Sequence, residues 1–423
     1  MNDHIAIRAT HRHPRLQYIA RVLSQWWPVK VILQTKGTSY GPCIEYGTGG
    51  SGVYISPHDF LAGRGPLEMT ALFPDTPFDQ FDPLSGIFWH LSRFEEYQPF
   101  DADRHGRFPA TASLSYKMGL INQPIAVIWA DRLYDSIRKQ YPRLPEMSRP
   151  FELRPTYDVD MVWAFHGRKW RGLARAGLDM IQGQIKMTRT RLASWRNREN
   201  DPFYTFSLLT KWHQELNLEP HYFFLLSDFR SRFDPNVSPN NPKLQALIRE
   251  LAAQPNHSIG IHPSYHSLER PELVSSETKT LSHILGRTPT GSRQHFLRLR
   301  FPDTYRALIK AGLRADYSMG YADAPGWRAG THLPYPWYDL EREEATRFQI
   351  HPFAFMDVTL KNYQKLSPQD ASKVMHFYRD QIQALGGPLY SLWHNSSFSE
   401  AHGWQGYGEV YEDYLRRPLG LRK

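Results

Sequence analysis

HSIGIHPSYHSLERPELVSSETKTLSHIL, residues His257–Leu285, sets the fold class of this chain. It opens with isoleucines on alternate positions, the period of a strand, and closes with Leu273, Val274, Thr278, Leu281 and Ile284 at helical spacing. The same strand-then-helix unit recurs on both sides. LRPTYDVD (Leu153–Asp160), HYFFLLS (His221–Ser227) and TGSRQHF (Thr290–Phe296) read as strands. PFYTFSLLTKWHQEL (Pro202–Leu216), NPKLQALIRELAAQ (Asn241–Gln254) and PDTYRALIKAG (Pro302–Gly312) read as helices between them. LRADYS, RFQIHPF and PLYSLWHN add strands, and Ser367–Leu385 a further helix. Such alternation predicts βα units around a parallel sheet, with a barrel as its expected form.

Working towards the N-terminus, YPRLPEMSRP (Tyr141–Pro150) reads as a linker, because its prolines resist both helix and sheet. This divides the chain into a smaller α/β unit, residues 1–145, and the alternating region, residues 151–423. The smaller unit has a helix pattern near Tyr18–Trp27, strands at Val29–Gln34 and Gly52–Ser56, and helix-like stretches at Gly86–Tyr97 and Pro124–Tyr141. Gly47, Gly49 and Gly52 match G-x-G-x-x-G, but the strand-like GVYIS follows where a dinucleotide site needs a helix. The glycines therefore read as a hairpin turn, with no cofactor assigned.

The chain has 423 residues, of which 41% are hydrophobic, enough for two or three domains with real cores. Its single cysteine, Cys43, rules out an intrachain disulfide and fits a reducing compartment. No apolar run approaches the roughly 20 residues of a membrane span, and the first residues lack a signal-peptide core. A cytoplasmic location is the expectation. The net charge of +9 points to an anionic partner. Much of it lies between His166 and Asn200, where nine Arg and Lys face only Asp179 and Glu199. Interspersed leucines, isoleucines and methionines make this stretch either a basic amphipathic helix for an anionic membrane surface or a solvated helix docked on the protein. No nucleic-acid recognition motif accompanies the charge, and nucleic acid is not an expected partner.

The polar residues cluster by position. Asp158 and Asp160, His262 and His266, Arg293 and His295, Asp316, and His394 all fall at carboxyl ends of strands. In a parallel barrel those ends share one face, where barrel active sites lie. His262 and His266 are four apart. If Pro263 opened a helical turn, both rings would share a face and could bind a metal such as zinc. With 19 histidines about one such pair arises by chance, so the spacing needs its context. The two acids of TYDVD could serve as a ligand and a base, or as a surface turn. His394 could donate a proton near neutral pH, or be a satisfied core histidine. Together, two imidazoles and a carboxylate leave metal positions open, while a second acid and a further histidine complete the requirements for hydrolysing an amide.

These elements resemble the polysaccharide deacetylase family (NodB homology, carbohydrate esterase family 4). They follow its order of an aspartate motif, H-x-x-x-H, an arginine motif and a late histidine. FDPLSGIFWHLSRFEEY (Phe81–Tyr97) and DRHGRFPATASLSYKMGLINQP (Asp103–Pro124) resemble the leading domain of a bacterial branch of that family. IGIHPSYHS, the stretch from Ser292 to His332, HPFAFMDVTL and LWHN resemble its catalytic domain. The resemblance implies a distorted (β/α) barrel with fewer than eight strands, following a smaller N-terminal α/β domain. It implies Asp158 as general base, Asp160, His262 and His266 as ligands of a divalent metal (zinc by expectation), His394 as general acid, and Arg293 orienting the base. Val159 separates aspartates that are adjacent in the family, so the two aspartate roles could be exchanged. Asp316, Asp357 and the Arg328 region compete to tune His394. The implied reaction removes N-acetyl or O-acetyl groups from a carbohydrate. A non-catalytic glycan-binding scaffold on the same barrel is the alternative. A two-carboxylate glycosidase would leave the histidines unexplained.

Overall fold

The computed structural model describes residues 4–35, 41–62, 76–166, 185–229, 231–400 and 403–418. Two sheets organise the chain. The first has four strands, β1 (His4–Ala9), β2 (Lys30–Gln34), β3 (Cys43–Tyr46) and β4 (Val53–Ile55), in the order β2-β1-β3-β4. All of its pairings are parallel. That includes β3 with β4, so the glycine-rich segment between them is not the hairpin expected. Six residues return the chain over the face of β3. A Cβ at Gly50 would stand 2.1 Å from the Glu45 carboxylate, and one at Gly52 would stand 2.4 Å from the Cys43 carbonyl oxygen. Gly50 and Gly52 are there for close approach, not for a primed turn.

The second sheet has nine strands, in the order β10-β11-β9-β8-β7-β6-β5-β13-β12. They are β5 (Phe151–Val159), β6 (His221–Phe224), β7 (Ser258–Ile261), β8 (Gly291–Ser292), β9 (Ala315–Asp316), β10 (Tyr335–Asp339), β11 (Glu344–Ile350), β12 (Phe353–Met356) and β13 (Gly387–His394). Only β10 runs antiparallel to its neighbour. The result is a curled, open (β/α) barrel, distorted as expected but with eight strands in parallel register and a ninth at the edge, more than the resemblance implied. Its centre, Tyr157, Val159, Tyr222, Phe224 and Ile261, is buried to 1% exposure or less, as strands covered on both faces require. Helices between strands begin at local caps. Asn241 Oδ1 accepts from Lys243 N and Leu244 N ahead of Pro242–Ala252, and Ser367 Oγ accepts from Asp370 N ahead of Pro368–Leu385.

The two sheets share one continuous apolar core. The helices Pro14–Trp26 and Pro83–Ser92 pack against β10, where Tyr18, Phe88 and Tyr338 meet edge to face. Tyr18 Oη donates to Pro336 O at 2.7 Å, and Trp26 Nε1 to Pro334 O at 3.0 Å. Deeper in, the Glu96 carboxylate is held by both Arg93 and Arg328, all three fully buried, and Arg93 also reaches the Arg328 carbonyl. Of the basic stretch, residues 167–184 lie outside the described ones, and Ile185–Arg196 is helical. Among the described residues no helix is long and apolar enough to cross a membrane.

Burial also sets how the fold responds to acid. His90, His213, His332 and His351 are each pushed down to about 3 by burial, from an ordinary 6.5. The unfolded chain binds these protons below pH 6.5 and the folded one does not, so stability falls as the pH drops. By pH 5 the penalty is on the order of 2 kcal/mol per histidine. Asp316, raised to about 6, and Glu277, raised to about 7, act in the opposite sense, each favouring the folded state as pH falls below its folded pKa. His221, lowered to about 4 by burial, joins the first set. His295 and His394, raised to about 9 and about 10 by neighbouring carboxylates, add a smaller gain to the second. The five lowered histidines outweigh the four raised groups. The urea midpoint is expected to fall between pH 7 and pH 5; an unchanged or higher midpoint at pH 5 would contradict this balance.

Candidate metal centre

The carboxyl ends of β5, β7, β8 and β13 bring the site together. Register places Asp158 of β5 directly beside His394 of β13, and Ile261 of β7 beside Ser292 of β8. The residues just past these strands, Asp160, His262, Arg293 and His295, therefore converge although they are far apart in sequence.

Asp160, His262 and His295 each offer one ligand atom, and the three atoms lie within 4.8 Å of one another. His262 Nε2 is 3.2 Å from Asp160 Oδ1, and His295 Nε2 is 3.5 Å from Asp160 Oδ2. Ligands of a tetrahedral zinc at about 2.0–2.2 Å stand roughly 3.3–3.5 Å apart, so the spacing fits a shared ion. The tautomers fit as well. His262 Nδ1 lies 2.6 Å from the Arg293 carbonyl oxygen, and His295 Nδ1 lies 3.0 Å from Asp234 Oδ1. Each ring thus donates through Nδ1 and turns Nε2 towards Asp160, the arrangement by which outer partners orient metal-binding histidines. Asp160 Oδ1 and His262 Nε2 are buried and make no hydrogen bond of acceptable geometry. Two such atoms facing each other are costly unless a third body joins them.

Charge points the same way. Arg293 is the only Arg or Lys paired with any of Asp158, Asp160, Asp234 and Asp357 among the described residues. The imidazoles compensate. Burial favours neutral His295, but Asp160 and Asp234 override it and raise the ring to about 9. Burial likewise opposes charge on His394, yet Asp357, then Asp160 and Asp158, raise it to about 10. Asp160 is held well below its ordinary value, burial notwithstanding, by His295, His262 and His394. A divalent cation would meet the same demand for positive charge.

Two further arrangements flank the cluster. Arg293, fully buried over the rings of Phe223 and Phe353, donates from Nη1 to Asp158 Oδ1 at 3.0 Å and from Nε to Tyr317 O at 2.9 Å. Asp158 Oδ2 then lies 3.7 Å from His262 Nε2. On the other side, Asp357 Oδ1 is 2.8 Å from His394 Nδ1, and its Oδ2 accepts from His394 N at 2.8 Å. His394 Nε2 faces inward, 3.8 Å from Asp160 Oδ2. The Asp160 and His394 side chains are 28% and 15% exposed, against 4% or less for Asp158, His262, Arg293 and His295, so the cleft opens beside these two.

Of the residues singled out in the sequence, the structure gathers Asp158, Asp160, His262, Arg293 and His394. It does not bring His266 to them. Ser264 is extended, with ψ 162°, and Tyr265–Leu268 is a 3-10 turn, so no α-helical turn carries His266 round to the face of His262. The His266 ring instead stands edge-on to Phe229, at 5.7 Å. His295 is the third member of the cluster instead. Its place at a strand end was legible, but its role was not. Asp234 lies in a loop with no periodic signal. Asp316 does not touch His394; it accepts from Ser292, Ser318 and Tyr305, bracing β8 against β9. Arg328 is engaged by Glu96.

Residues 5–142 match a family described as of unknown function (DUF7033). No curated protein matches the sequence. Among solved structures, the chain is similar to a Mycobacterium smegmatis protein provisionally assigned as a polysaccharide deacetylase, at 12% identity and TM-score 0.42, covering 66% of this chain and 87% of that one. It is also similar to a polysaccharide deacetylase of Bacillus cereus, at 10% identity and TM-score 0.30, covering 63% and 87%. A third likeness, to the 4-alpha-glucanotransferase of Thermococcus litoralis, has 13% identity and TM-score 0.38, covering 64% of this chain and 37% of that one.

Proposed function

We propose that this chain is a metal-dependent hydrolase that removes N-acetyl or O-acetyl groups from a carbohydrate, its ion held by Asp160, His262 and His295. The observation that carries this reading is the pair of buried, unpartnered atoms, Asp160 Oδ1 and His262 Nε2, facing each other beside a third oriented imidazole. When bound, a divalent ion, zinc by its donor set, lowers the pKa of water and polarises a carbonyl. Asp158, fixed through Oδ1 by Arg293, takes a proton from the attacking water. His394, fixed through Nδ1 by Asp357, gives a proton to the departing amine from Nε2. The water's oxygen bonds to the acyl carbon, the C–N bond breaks, and acetate and a free amine result. The carbohydrate substrate rests on the family resemblance of the motifs. Peripheral contact with an anionic membrane through residues 166–200 belongs to the same reading and rests on the charge of that stretch.

The test is metal content and turnover in one preparation. Protein purified without chelator should carry about one divalent ion per chain and release acetate from N-acetylglucosamine oligomers. Chelation should abolish release and added zinc restore it. Absence of bound metal even after zinc addition, together with no acetate, overturns the proposal. Oligomer binding without metal or acetate would identify a glycan-binding scaffold instead.

A further inference from the structure

The D-R-H-G-R segment at Asp103–Arg107 has no part in the chemistry above, yet it is tied to the candidate centre. Phe296 and Leu297, the two residues after His295, both adopt left-handed backbone, φ 60° and 56°. That is costly for side chains of this size and persists only where surroundings enforce it. Arg107, 5% exposed, donates from Nη1 to the Phe296 carbonyl at 3.0 Å. Its guanidinium is aimed by Asp103, which accepts from Arg107 Nε at 2.8 Å, and by Tyr363 Oη at 2.7 Å. The Phe296 ring lies between two imidazoles, with ring centres 4.9 Å from His105 and 4.8 Å from His295. His105 Nδ1 is 3.0 Å from Tyr265 Oη, and the Tyr265 backbone N–H donates to the same Asp234 oxygen that orients His295. Arg298 closes the frame, donating to the carbonyls of His105 and Tyr265.

We propose that the segment Asp103–Arg107, through Arg107 on the Phe296 carbonyl and His105 on the Phe296 ring, is a positioning element that holds His295 in its metal-binding orientation. The matched N-terminal region would then complete the metal centre rather than act as a separate module. Arg107 touches no reacting atom in this scheme; it acts through the left-handed turn. The inference rests on the proposed metal site, and the test separates the two.

The full-length protein, stripped of metal, is titrated with Co²⁺ against a competing chelator, and its visible absorption is recorded. Arg107→Ala should weaken Co²⁺ binding about 10- to 100-fold, the range for loss of an outer partner, and shift the absorption band as His295 loosens. Arg107→Lys keeps the charge and one donor and should fall between Arg107→Ala and wild type. If Arg107→Ala does not fold, Arg107→Lys decides. A folded Arg107→Ala with affinity within twofold of wild type and an unchanged band overturns this inference alone; where Arg107→Ala does not fold, the same result from Arg107→Lys overturns it. A wild-type protein that binds no Co²⁺ overturns the metal site itself.

Discussion

His295→Ala will lose metal and His266→Ala will keep it. The family's H-x-x-x-H spacing implies the reverse weighting, so the pair of variants separates pattern from geometry. In the structure His295 presents Nε2 to Asp160 at 3.5 Å with its other nitrogen on Asp234, whereas His266 is edge-on to Phe229. Removing an outer partner of a metal-binding histidine costs 10- to 100-fold in affinity, so removing the ligand itself should cost on the order of 1,000-fold or more. His266→Ala should leave affinity within about twofold. Competition against a chelator of known zinc affinity measures both. Loss of zinc from His266→Ala as severe as from His295→Ala would mean that residues 263–266 repack around the ion, and the triad would have to be redrawn with His266 in it.

That contrast marks the limit of what periodicity can read. The strand tips were legible because apolar runs of four to eight residues end abruptly in Asp, His or Arg, and a parallel sheet sends all such ends to one face. Asp158, Asp160, His262, Arg293 and His394 followed from that rule. The same rule also offered His266, wrongly, because it says nothing of the path beyond the strand's last residue. Pro263 is compatible with a helical turn, but extended Ser264 breaks it, and no local signal distinguishes the two. The partner of His394 depended on strand order. Asp316 ends β9, which is separated from β13 by β8, β7, β6 and β5, while β12 pairs with β13 and leads straight into Asp357. Strand order is a non-local property, as are the contacts of Arg107 and His105 with Phe296, in a turn nearly two hundred residues later. Parallel pairing of β3 with β4 escaped for a related reason: a glycine-rich six-residue connection usually means a hairpin, and only the approach of Gly50 and Gly52 to Glu45 and Cys43 shows the chain folding back.

Asp158→Asn and His394→Ala should both retain metal and fail in turnover, but on different substrates. Each role is a proton transfer, worth about 100- to 10,000-fold in rate. Asp158→Asn keeps the shape beside Arg293 and removes the proton acceptor, so the attack step suffers whatever group departs. Hydrolysis of an acetamide and of an activated aryl acetate should therefore fall together. In the proposed reaction His394 serves only the departing group, and the 2.8 Å contact of its Nδ1 with Asp357 would hold it to that task. An amine leaves as an anion only at prohibitive cost and needs that proton; an aryl oxide does not. His394→Ala should accordingly lose acetamide hydrolysis by at least 100-fold while keeping aryl acetate hydrolysis within about tenfold. Kinetics on the two substrates with zinc-loaded variants give the comparison. Equal losses on both substrates for His394→Ala would remove it as the acid and place it with the groups that hold the acyl oxygen. Full activity of Asp158→Asn would pass the base to Asp160, the exchange left open by the valine between them.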